Sequence, residues 1–218
     1  MRCLRFIALT AILLVIPSRA PASGGSYLVD DASVVGAGHC QVESWLRAWS
    51  QGSDGLWTVP ACGVGAVEFG LALDRQQGAP GVGVSPALKW QLRNGDASGI
   101  GLAVAVNSTY QNGRRTTSQA YASSSFGLDD ARSFMVNLNL GVDQKRGKGA
   151  HALEGVGIEY ALDDRWSLLA ERLWSHQGIS DQAGVRMTVG NATVDLVAGR
   201  QRATDRSHWF NIGWNVAF

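Results

Sequence analysis

The hydrophobic pattern of this chain has a period of two over most of its length. The closing stretch "WFNIGWNVAF" shows it most plainly. Phe210, Ile212, Trp214, Val216 and Phe218 form one set; Trp209, Asn211, Gly213, Asn215 and Ala217 form the other. Successive residues of a strand point to opposite faces, so one face is continuously apolar and the other small or polar. "SFMVNLNLGVD" repeats the pattern, with Phe134, Val136, Leu138, Leu140 and Val142 set against Met135, Asn137, Asn139, Gly141 and Asp143. "GIGLAVAVNSTY", "GVGVSPALKWQL", "GVGIEYAL" and "VEFGLALD" do the same. Turn signals such as "GSDG", "QGAPG", "RGKG" and "VGN" separate the runs.

Alternating segments of about ten residues between turns are the signature of a transmembrane β-barrel. Lipid offers no partner to an open sheet edge, so the sheet must close. The pattern predicts an all-β, antiparallel transmembrane barrel with strands near 39–50, 56–62, 66–76, 82–93, 98–110, 116–127, 131–144, 150–161, 165–177, 182–190, 192–201 and 207–218. Twelve strands put both termini in the periplasm. The runs at 56–62 and 116–127 alternate least well, and without them the count is ten. Pro86 falls inside a strand that has no free edge, which implies a bulge. Trp166 and Trp174 share the outward face of "RWSLLAERLW", spaced as the two interfaces of an apolar band require. A secreted β-sandwich is the soluble alternative. It would bury bulky apolar residues between two sheets and expose a wet outer face on each.

The N-terminus changes the setting. "MRCLRFIALTAILLVIPSRAPAS" carries Arg2 and Arg5, an apolar run from Phe6 to Ile16, and small residues at Ala20 and Ala22, which reads as a signal peptide spanning 1–22. Residues 23–38 are then a periplasmic N-terminal segment and 39–218 the outer-membrane barrel. Loss of Arg2, Arg5 and Arg19 leaves 16 basic against 18 acidic residues. No basic patch points to nucleic acid. Cys40 and Cys62 remain after export, lie on neighbouring strands with the same outward parity, and read as a disulfide; two unpaired cysteines are the alternative. No cysteine or histidine grouping has metal-ligand spacing, and no cofactor motif survives inspection.

The inward sets supply Glu43, Arg47, Glu68, Lys89, Asn137, Asn139, Glu159, Glu171, Asp195 and Asn215 as lumen-lining residues. So many charges would be costly in a dry core. Inside a barrel they either face water, as in a passive channel for small molecules, or pair with one another in a filled structural barrel or surface protein. Inward glycines at 70, 83, 101, 155, 157, 199 and 213 leave room for a cavity. A minor reading is a serine hydrolase: pairing across "RGKG" and "LDDR" sets Asp143, His151 and Ser175 in a row near the outer mouth, the order that Ser-His-Asp chemistry needs. On the main reading no residue is catalytic.

Phe210, Ile212, Trp214, Val216 and Phe218 resemble the C-terminal signal by which outer-membrane proteins are recognised for insertion. The barrel-assembly machinery, outer-membrane lipid and a small-molecule solute are the partners this implies. Over most of the mature chain, "YLVDDASVVGAGHCQVESW", "MVNLNLGVDQ", "GIEYALDDRWSLLAERLW" and the Phe-terminated end resemble the Gram-negative family of phenol meta-pathway (MetA-type) outer-membrane proteins. That resemblance implies passage of aromatic or other small apolar molecules and brings no catalytic residue with it.

Overall fold

The computed structural model describes residues 26–129, 132–203 and 206–218; the expected signal peptide lies outside the described residues. Twelve strands follow in order: β1 (Cys40–Trp49), β2 (Asp54–Val64), β3 (Val67–Gln76), β4 (Gly83–Arg93), β5 (Ile100–Gln111), β6 (Arg114–Gly127), β7 (Phe134–Lys145), β8 (Ala150–Ala161), β9 (Trp166–Ser175), β10 (Gly178–Val189), β11 (Ala192–Arg202) and β12 (Arg206–Ala217). A single helical turn, α1 (Gly95–Ser98), joins β4 to β5. Each strand pairs antiparallel with its sequence neighbours, and β1 pairs with β12, so the sheet closes into a barrel. The two weakly alternating runs are full strands, β2 and β6, which removes the ten-strand count.

Closure is in register from Gln41↔Ala217 to Trp49↔Trp209, and the last residue takes part. Phe218 donates its N–H to the Cys40 carbonyl at 2.9 Å, and Cys40 donates to the Phe218 carbonyl at 2.8 Å. The rim where β12 ends is called lower here, the opposite rim upper.

The two faces part as the alternation demands. Phe69, Leu71, Leu88, Trp90, Val106, Leu140, Val142, Phe210 and Phe218 are exposed on the outside, whereas Asn137, Asn139, Asp143, Glu171, Asp195 and Asn211 are buried inside. An apolar belt continuous round the molecule is far larger than water-soluble monomers expose, and it suits lipid. Cys40 and Cys62 are cross-strand partners and form a disulfide on the outer face.

Two expectations are corrected. Pro86 carries no register shift: Leu71↔Pro86 is in step on one side, and Val84↔Tyr110 and Ala87↔Asn107 keep one register on the other. The irregularities of this region fall instead between Gln91 and Arg93 and between Thr109 and Tyr110. The ladder tolerates the missing N–H by leaving Ser85 and Pro86 unpaired toward β5. The second correction is larger. Residues 26–35 do not hang below the barrel as part of a periplasmic segment. They run inside it.

Candidate functional site: a lumenal strap, a cavity and an indole cluster

The strap meets the strands in roughly descending order. Ser26 donates its hydroxyl to Asp195 on β11 at 2.8 Å, and its carbonyl accepts from Gln182 on β10. The Tyr27 hydroxyl donates to Glu159 on β8, and its ring lies 4.3 Å from the Arg186 guanidinium. The N–H groups of Leu28 and Val29 both reach the Glu171 carboxylate on β9. Asp30 exchanges backbone bonds with the Asn139 amide on β7, and its carboxylate accepts from Tyr121 on β6 and Lys89 on β4. Ala32 donates to Ser125, and Val35 donates to Glu68 on β3. Ala37 then bridges to Gly63, and the chain turns into β1. Only glycine fits at 63, since a Cβ there would lie 2.0 Å from the Val35 carbonyl oxygen.

An extended backbone cannot pair with a barrel whose own ladder is complete, so side chains must satisfy it. That is the employment of the lumenal polar residues. Of the ten predicted to line the lumen, Glu68, Lys89, Asn139, Glu159, Glu171 and Asp195 all hold the strap. Asn137 accepts from Ser125, Glu43 accepts from Gln41, and Asn215 is buried opposite Glu43 on the β1–β12 seam. Arg47 belongs to a different cluster, described below. Charge is balanced locally. Lys89 lies 2.9 Å from Asp30 and 3.4 Å from Asp31, and Arg186 grips Asp195 through two nitrogens. Burial pushes the Asp31 carboxyl above its ordinary range, with Lys89 drawing it back.

The space left by inward glycines is mostly taken. Val29 packs on Gly155 and Gly157, Ala32 on Gly101, and Ser26 on Gly213. Around Gly70 it is not. A cavity of about 360 Å³ remains there, walled by Gln41, Glu43, Trp45, Glu68, Lys89, Asn107, Gln119 and Tyr121, with Tyr27 and Asp30 of the strap as part of its lining.

Toward the upper rim, β1, β2 and β12 present four indoles to the interior. Trp45 and Trp57 are cross-strand partners whose rings stack at 5.6 Å and 2° between planes. Trp49 pairs with Trp209. The Arg47 guanidinium lies 4.8 Å from the Trp209 ring, 5.6 Å from Trp57 and 5.7 Å from Trp49. Gly199 makes this cluster fit, because a Cβ there would lie 2.2 Å from the Trp209 ring.

The hydrolase triad does not form. Asp143 is opposite His151, as the "RGKG" pairing predicts. Its carboxylate, however, is taken by His176, through both the backbone N–H at 3.1 Å and the ring Nδ1. The Glu154↔Trp174 register puts His151 level with residue 177, two positions past Ser175, whose hydroxyl accepts from the Gln177 N–H.

Solved barrels of similar shape include porins. A KdgM porin superposes with a TM-score of 0.66 at 11% identity, covering 82% of this chain and 99% of its own. A NanC porin gives 0.62 at 7% identity, over 81% and 98%. The outer membrane protein Omp33 of Acinetobacter baumannii gives 0.55 at 7%, over 83% and 98%. At these identities the likeness is one of fold. No curated protein sequence matches the chain. A family model does, and it spans residues 11–218: the chain belongs to the family described as uncharacterised conserved protein UCP029691.

Proposed function

We propose that this protein is an outer-membrane channel for small solutes, exported with a cleaved leader and oriented with both termini in the periplasm. The observation that carries the reading is the cavity of about 360 Å³, walled by polar and apolar side chains together, inside a closed barrel whose outer face is apolar. Porins of the same architecture support it. The phenol-pathway resemblance and the indole-lined upper lumen together favour organic cargo. The strap favours a second reading, a filled structural barrel, because it occupies much of the lower lumen. Conductance decides between them. The refolded mature protein in a planar bilayer is expected to give discrete single-channel steps, and deletion of residues 24–36 is expected to enlarge them. A silent wild type that conducts only after the deletion would make the strap a plug and the barrel a closed one. Silence in both would sink the channel.

A further inference from the structure

The cluster round Arg47 is rich in donors and poor in acceptors. The Arg47 Nε donates to Asn211 Oδ1 at 2.8 Å, and among the described residues no carboxylate pairs with this guanidinium. Using Oδ1 in that bond leaves the buried Asn211 Nδ2 as a donor, and it meets no acceptor. The buried Nε1 groups of Trp45 and Trp209 meet none either. Trp209 is 5% exposed and Asn211 fully buried. A guanidinium has five N–H donors and no acceptor, and an indole N–H can only donate. Buried donors of this kind find partners in folded proteins, and with none supplied by the described residues the acceptor is water or a ligand.

The surroundings narrow its chemistry. A carboxylate matches the planar guanidinium fork, which a spherical ion does not. The stacked Trp45 and Trp57 indoles put aromatic surface beside the guanidinium, and Trp45 is shared with the cavity wall. At the upper rim Arg114, Arg115, Lys145 and Arg146 line a separate depression in which no acid takes part. Cations at a mouth raise the local concentration of anions and speed their entry.

We propose that Arg47, with the donors of Asn211, Trp45 and Trp209 around it, binds the carboxylate of a small organic acid whose body lies against the Trp45 and Trp57 indoles. The proposal names the solute class of the channel and rests on that reading only for transport, since binding is measurable without conduction.

The test uses the full mature chain refolded in a neutral detergent, with benzoate as probe and tryptophan fluorescence and calorimetry as readouts. Saturable benzoate binding is expected, with benzylamine and benzamide failing to compete. Arg47→Gln is expected to weaken benzoate roughly tenfold or more, the scale of a charge-assisted hydrogen bond. Trp45→Phe keeps a six-membered aromatic ring and loses the pyrrole ring with its N–H donor; it is expected to weaken binding a few-fold, and it carries the test should Arg47→Gln not refold. Arg132→Gln, far off at the lower rim, is the charge control and should bind as the wild type does. The proposal is overturned by absence of saturable binding, by equal binding in Arg47→Gln or in a folded Trp45→Phe, by equal loss in Arg132→Gln, or by chloride or phosphate displacing benzoate at equal concentration. Benzoate binding without bilayer conductance would uphold the site and remove the channel. Conductance without benzoate binding would do the reverse.

Discussion

Lys89→Met tests how the strap is held. The Lys89 side chain is 7% exposed, and it stands between Asp30 and Asp31 of the strap and its cross-strand partner Glu68. Methionine keeps the length and removes the charge. Stripping one partner from a buried ion pair costs about 3–5 kcal/mol, because the charge left behind is uncompensated. Asp30 and Asp31 retain 27% and 19% exposure, so water screens part of this loss, and about 2–3 kcal/mol is the working figure. The barrel ladder does not need Lys89, whereas Asp30 and Asp31 regain full hydration once the strap leaves its seat. The penalty therefore falls on seating, and the unseated population should rise roughly thirty- to hundred-and-fifty-fold. Chymotrypsin provides the assay, since Tyr27 and Leu28 lie within the strap. With opening fast relative to cleavage, the cleavage rate follows the open population, so the variant should be cut faster by about that factor and give larger conductance steps. Equal cleavage and equal conductance in a variant that still shows the heat-modifiable shift of a folded barrel would refute the account of how the strap is anchored.

Three further outcomes are expected. Deleting Phe218, or replacing it with Asp, should lower the folded fraction reaching the outer membrane, because the residue closes the seam against Cys40 and ends the outward set; unchanged assembly of both variants would count against the C-terminal signal. Replacing Cys40 and Cys62 by serine opens a cross-link with a sequence separation of 22 and should cost about 3 kcal/mol in the loop-entropy description, read as a lower unfolding midpoint; free alkylatable thiols in the mature wild type would contradict the bridge. Gly199→Ala puts a methyl 2.2 Å from the Trp209 ring and should displace that indole at a cost of about 1–3 kcal/mol, seen as a shifted tryptophan emission; an unshifted spectrum at wild-type stability would refute the packing.

The barrel was legible because lipid imposes one rule on every strand. Twelve runs, their order and their outward faces follow from alternation alone, even for β6, where Ala120, Ala122 and Ser124 carry the outward parity without much hydrophobicity. The strap was not legible for the converse reason. "SYLVDDASVVGAG" has no period, because its residues answer to several strands round the barrel rather than to one face. A trace was present in the excess of inward acids, since Glu68 and Glu171 accept from strap N–H groups, and Asp195, though held by Arg186, accepts from the Ser26 hydroxyl as well. The indole cluster was half visible. Trp209 and Arg47 fall in inward sets, but Trp45 and Trp57 meet across a β1–β2 pairing that the short apolar run at 56–62 does not announce. The triad failed on register: a two-residue slip keeps parity and so looks right in sequence, yet it moves the partner by one full repeat of the strand.

The strap's path also constrains the timetable of biogenesis. Its first described residue is bound by β10 and β11, the last strands but two and one to be synthesised, while its far end is fused to β1. A nascent barrel lacking β9 to β11 offers Ser26, Leu28 and Val29 none of the partners they use when mature. A segment made before every strand must therefore wait for nearly the last of them before it can settle, and the β1–β12 seam closes round it. Completion of the barrel and occupation of its interior are in this way one event, and the exposed N-terminus of an arrested intermediate would mark a molecule whose final strands have yet to arrive.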